Sequence, residues 1–437
     1  MQRKRLKEWF KTALIALLGI SAVVLALHVG LFDEPIRGAM WGNAQDPSPA
    51  VVGSMSPAAR PTGMMANLGP DAYRGHRTDE GAGGVFGNNL LGLYDLFAGS
   101  LGEALGSSGP SEPVSGEEWE RALSDLGVFF HYDLELPGAV LAGWMGTETG
   151  GATGLMQRIV LSARGDMVYL YYMGRDREPR RSGTAVRGET LRETLRTLEP
   201  NGAGYGFQQG AWMGTDPYAI LLADYSGIPA LRSEGAMGAV FGQLDGILER
   251  LGMNPALARY MAEEGGRTIV QDATTLRLSD TGLISWHCLG ENPRISVRGE
   301  GQPTLSEAIE RANEIAQILS SVSDAASIYL TSWSEAEGQF VLQFGYYFGG
   351  IPIWTEEPAA VIVIDGGRVR EFALFTRTFW RTGQFVSVIP ELQAVAAMGG
   401  APLALTYVEA ESPEGEQAWM HARWLVAPRI GRGDSDG

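Results

Sequence analysis

Cysteine is all but missing from this 437-residue chain: Cys288 is the single thiol, so no intramolecular disulfide can form and the fold must rest on its apolar core. Lysine is nearly as scarce. All three lysines fall within the first eleven residues, and the rest of the 34 basic residues are arginine. Metal signatures are missing as well, since no HExxH, no paired CxxC and no EF-hand loop occurs. No GxSxG lies between an expected strand and an expected helix, where a nucleophilic serine's elbow would stand. No GKS or GKT is present, and the glycine-rich segments GAGGVFG (81–87) and GAGYGF (202–207) do not join a strand to a helix as a phosphate loop would. The absence of an Asn-x-Ser/Thr sequon removes one argument for a eukaryotic secretory route.

Histidine offers little for catalysis. His28 lies in an apolar run, His76 in a Gly- and Met-rich stretch, and His131, His287 and His421 each fall in an expected strand, where a packed or rim role outweighs a ligand role. His287 and Cys288 are neighbours in a strand, so their side chains point to opposite faces and do not form a thiolate–imidazole pair. The paired carboxylates Glu117/Glu118, Glu263/Glu264 and Glu356/Glu357 are adjacent rather than convergent. The residues point away from an enzyme, and no cofactor or metal is expected.

What the chain does have is TALIALLGISAVVLALHVGLF, an uncharged apolar run over 12–32 that follows the basic leader MQRKRLKEWFK. At about 1.5 Å per residue such a helix crosses a roughly 30 Å hydrocarbon core. A cleavable secretory signal would need a shorter run ending in a small-x-small site, and His28 and Val29 stand where small residues are wanted. The expectation is an uncleaved single-pass anchor in the cell membrane. Residues 1–11 then stay cytoplasmic and the rest lies outside the cell. Ala16, Gly19, Ala22 and Ala26 supply small residues along one side of that helix, a face suited to close helix–helix packing in lipid; small residues are also common in any single-pass anchor.

Charge agrees with this placement. The leader has five basic residues and one acidic, so the remainder carries 34 − 5 = 29 basic against 51 − 1 = 50 acidic residues, a net of −21. Such a body repels anionic lipid, and nucleic acid is not expected as a partner.

Residues 33–114 are rich in Gly, Pro, Ser, Ala and Met and are expected to form a flexible tether, with one helical stripe at 88–105 (Leu90, Leu91, Tyr94, Phe97, Leu101, Leu105) that docks on its own domain or on a partner helix. An α+β body follows. Helices are expected at 117–126 with Ser115 as N-cap, at 189–198, 240–251, 303–322 and 387–398. In the fourth, Thr304 and Glu307 spell a capping box. Antiparallel hairpins are expected at 158–174, 275–290 and 359–375, each turning through glycine. The organisation is a repeated unit of helix plus antiparallel hairpin, divided into an N-terminal part (115–300) and a C-terminal part (301–427), with a disordered tail at 428–437.

The segment FGYYFGGIPIW (344–354), followed by AAVIVIDGGRVREFALF (359–375), resembles the C-terminal unit of YycH/YycI-type proteins, with a Gly-Ile-Pro hairpin also shared by PepSY modules. The segments GVFFHYDLELPGAVLAGWMG, TDPYAILLAD and ARWLVAP fit similarly, so the resemblance spans about 115–427. It implies a single-pass extracytoplasmic regulator of a two-component sensor histidine kinase in a Gram-positive bacterium, in contact with the kinase or with a second YycH/YycI-type protein. A second reading is a cell-surface domain that binds peptide or glycan, or inhibits a peptidase, with Trp212, Tyr346, Tyr347, Trp354 and Trp380 along an aromatic surface. Such aromatics more often serve as sheet core.

Overall fold

Tight glycine turns cut the chain into antiparallel hairpins, and the hairpins assemble into two large sheets. A computed structural model describes residues 57–78, 89–209, 216–222, 227–289, 295–297, 302–322, 326–398, 403–410 and 418–426. All of these belong to one compact unit, 52–437. The basic leader, the apolar run with Ala16, Gly19, Ala22 and Ala26, and the tail at 428–437 lie outside the described residues. Among the described residues no helix is long and apolar enough to cross a membrane.

The first sheet is built from β1 (Gly63–Gly69), β2 (Ala72–His76), β3 (Glu112–Pro113), β4 (Gly127–Pro137), β5 (Leu155–Arg164), β6 (Met167–Met173) and β7 (Arg180–Arg187). Its order is β2-β1-β4-β5-β6-β7-β3, antiparallel throughout. Both faces are covered. Helices α1 (Leu90–Ser107), α3 (Gly138–Trp144) and α4 (Gly188–Arg196) join Val128, Phe130, Ile159 and Leu161 in the main core. On the other face α2 (Gly116–Ser124) lays Trp119, Ala122 and Leu123 against Met65, Phe129, Val160 and Tyr171. The short ribbon of β8 (Gly204–Tyr205) and β9 (Ile220–Leu221) closes this second core.

The second sheet holds thirteen strands among the described residues. In chain order they are β10 (Ile228–Gly235), β11 (Arg259–Glu263), β12 (Gly266–Gln271), β13 (Thr274–Ser279), β14 (Leu283–Cys288), β15 (Ser327–Ala336), β16 (Gln339–Phe348), β17 (Ile351–Ile353), β18 (Ala360–Asp365), β19 (Arg368–Phe375), β20 (Arg377–Val386), β21 (Leu403–Ala410) and β22 (Ala418–Val426). The pairing path runs β11-β12-β13-β14-β19-β18-β16-β17-β21-β22-β10-β20, with β15 on the other edge of β16. Because β20 continues β19 after a single residue, Thr376, the path returns to the strand it passed through and the sheet curls on itself. Tyr346 holds this bend: its hydroxyl donates to the Phe375 carbonyl and accepts from the Arg377 N–H at 3.2 Å. Helices α5 (Met237–Gly242), α6 (Leu244–Arg250), α7 (Leu305–Ala316) and α8 (Glu391–Ala397) complete the body.

Much of the sequence expectation holds. The three hairpins are β5–β6, β13–β14 and β18–β19, with Gly165, Gly282 and Gly366 at positive φ. Ser115 caps α2, and the Thr304/Glu307 capping box is formed in full. Ile309, Ala312, Ala316 and Leu319, spaced by three and four residues, are buried on one side of the following helical segment. The helix expected over 240–251 is two, because Gln243 leaves helical geometry at φ −116°, ψ 12°.

Two expectations are corrected. The stretch 33–114 is not a tether throughout: β1, β2 and β3 lie in the first sheet, and α1, capped by Asn89, packs on this domain. Met64, Met65 and Ala66 are completely buried, since the sheet is covered on both sides. The division at residue 300 also fails, because β10 pairs with β20 and β22, and β14 with β19, all in one sheet. The strands change sheet between β9 and β10 instead.

Candidate functional site

The Gly-Ile-Pro hairpin brings the two sheets together. Gly349 and Gly350, at φ 55° and 81°, form the two-residue turn between β16 and β17. A Cβ on Gly350 would meet the Arg77 carbonyl oxygen at 3.0 Å and the Leu90 side chain at 3.2 Å, so the turn is pressed against the end of β2 and the start of α1. Beside this contact lies a cavity of about 470 Å³, within the usual range for ligand pockets. One wall is β17 and Trp354, a second is Leu403–Thr406 of β21 with Leu425 of β22, and a polar third comes from the first sheet.

That polar wall is organised by Asp133. Thr62 Oγ1 donates to its Oδ1 at 2.9 Å, the Tyr347 hydroxyl donates to Oδ2 at 3.0 Å, and His131 Nε2 lies 3.8 Å from Oδ1. His131 and Asp133 alternate along β4 and therefore share a face. Burial raises the Tyr347 phenol well above its usual range, and the Asp133 carboxylate beside it adds to that, so it stays a donor. A smaller chamber of about 120 Å³ shares Arg77, His131 and Leu403 with the first. There Arg77 pairs with Glu391 at 3.0 Å, Arg158 pairs with Asp216, and the Arg158 guanidinium lies over the Tyr218 ring.

His131 stands between the chambers. Its side chain is 21% exposed, but the space it faces is a protein-lined cavity rather than bulk water. Burial first, and then the positive charges of Arg158 and Arg77, hold its imidazole well below the ordinary histidine range, so it is neutral. Its Nδ1 is buried without a hydrogen-bond partner. Thr62 Oγ1 bonds the His131 carbonyl and Asp133, not the imidazole. Among the described residues no three His, Cys, Asp or Glu side chains converge as metal ligands.

Of the five aromatics proposed from sequence, the four described ones do not share one surface. Trp212 lies outside the described residues. Tyr347 and Trp354 meet at the cavity, the latter 56% exposed. Tyr346 points to the other side of β16, buried against Phe379 at 5.0 Å between ring centroids. Trp380 is half-buried on β20, paired across to Arg232. Sequence reasoning missed Thr62, Arg77, His131, Asp133, Leu403 and Leu405. The one local signal was the His-x-Asp alternation at 131 and 133, directly after the apolar start Val128-Phe129-Phe130 of the strand. Cys288 is buried and His287 exposed beside Glu371, as their strand neighbours require.

No protein-family model matches the chain, and no curated protein matches it. Among solved structures it is similar to the crystal structure of YycH from Bacillus subtilis, with a TM-score of 0.53 and 9% identity over 85% of this chain and 96% of that one. At that identity the likeness shows the fold: this chain has the YycH-type α+β architecture.

Proposed function

We propose that the protein is a non-enzymatic, membrane-anchored extracytoplasmic regulator or scaffold that acts on a two-component sensor histidine kinase. The observation that carries this reading is the YycH-type fold across nearly the whole body, preceded in sequence by one uncharged apolar run. The run anchors the chain in the bilayer with its basic leader in the cytoplasm.

Contact in the bilayer falls to Ala16, Gly19, Ala22 and Ala26, because helices in lipid associate through close packing at small residues. Gly19→Leu and Ala22→Leu are expected to lower co-purification of the kinase at least severalfold while leaving membrane insertion intact. Unchanged recovery of the kinase with both variants would remove the helix from the interface.

A further inference from the structure

The parallel pair β17–β21 stops after one rung, and the sequence explains why. Ile353 pairs with Tyr407, and the Trp354 N–H donates to the Tyr407 carbonyl at 2.9 Å. Two residues back, the next donor in a parallel ladder would be residue 352 toward the Leu405 carbonyl. Residue 352 is proline and has no N–H. The strands part there, and the larger cavity occupies the wedge between Gly350–Ile353 on one side and Leu403–Thr406 on the other.

Main-chain groups of a strand alternate between its two edges. Tyr407 directs its carbonyl toward β17, so Leu405 and Leu403 direct theirs the same way, into the wedge, while the other edge of β21 is occupied by β22 from Leu403 to Ala410. The recorded pairing of β21 with β17 ends at Tyr407. Among the described residues the wedge therefore combines an open strand edge of four residues, about 13 Å long, with aliphatic walls from Ile351, Ile353, Leu405 and Leu425. Buried main-chain groups need partners, and the ligand that offers donors and acceptors at the repeat of a strand is another extended main chain. We infer that the wedge is a binding slot for a short, extended, aliphatic peptide segment supplied by a separate polypeptide, which adds as a strand to β21. Thr62, His131 and Asp133 at the polar wall leave room for one polar side chain of that segment.

The slot is independent of the kinase contact, so its test uses the full-length protein alone in nanodiscs. The probe is the blocked tetrapeptide acetyl-Thr-Val-Leu-Val-amide, titrated by calorimetry beside two analogues N-methylated at residues 1 and 3 or at residues 2 and 4. Main-chain pairing requires one phase to lose at least tenfold in affinity while the other loses less than threefold. Leu403→Pro, which removes an edge N–H at the first residue of the strand where proline is tolerated, is expected to weaken the unmethylated peptide about tenfold. Should that variant fail to fold, the methylation series on the unaltered protein still decides. Equal affinity for all three peptides, or no binding of the tetrapeptide at millimolar concentration, would overturn the proposal.

Discussion

Gly350→Ala perturbs the contact on which the cavity depends. At φ 81° an alanine incurs about 1–2 kcal/mol of backbone strain, because its Cβ crowds the following carbonyl in the left-handed region. The new Cβ also lies 3.0 Å from the Arg77 carbonyl oxygen and 3.2 Å from Leu90 Cδ2. A carbonyl cannot rotate away as a side-chain tip can, so the turn must lift off β2. Overpacking of this kind adds about 1–3 kcal/mol. The total expected loss is about 2–5 kcal/mol. Gly366→Ala supplies the control, since Gly366 sits in the equivalent turn of the β18–β19 hairpin at φ 55° with nothing within 4 Å of its Cβ. Only the backbone cost applies there. Urea unfolding of both variants, followed by tryptophan fluorescence, measures the difference. If the two lose equal stability, the Gly-Ile-Pro hairpin is not pinned against the first sheet and the account of the cavity's walls fails.

Tyr347→Phe removes a buried donor from the Asp133 carboxylate and is expected to cost about 1–2 kcal/mol in the same assay; a loss below about 0.3 kcal/mol would show that the bond organises nothing. Acid should destabilise the fold through its partly buried histidines. Burial, and then Arg74, lower His76 to about 4, so the unfolded chain takes up a proton near pH 6.5 that the folded chain refuses until about pH 4. Stability therefore falls as pH drops through that window, by at most about 3 kcal/mol for this residue. His131 acts in the same direction. His76→Gln should flatten the pH dependence between 6.5 and 4, and an unchanged slope would contradict the assignment.

Local chemistry was legible in the sequence, and distant pairing was not. Hairpins announced themselves through glycine at the turn and alternation on either side, as in β13–β14 and β18–β19. The Thr304/Glu307 box marked its helix because the cap is made within four residues. β1 escaped notice because a strand covered on both faces shows no alternation, and Met64-Met65-Ala66 carries little strand preference of its own. The partnership of β10 with β20 and β22 has no local signature at all, so the division at residue 300 was misplaced. The cavity is assembled from segments as far apart in the chain as Thr62, His131, Thr331, Tyr347, Leu403 and Leu425. Only Tyr347 and Trp354 could be named beforehand, and neighbours such as Tyr346 and Tyr347 were grouped although a strand sends them to opposite faces.

The regulatory role is tested most directly by reconstituting the full-length protein with a sensor histidine kinase from the same cell in nanodiscs and measuring kinase autophosphorylation with and without it. The account requires that the two co-elute and that the autophosphorylation rate changes, with Gly19→Leu diminishing both effects. Separate elution together with an unaltered rate would contradict it.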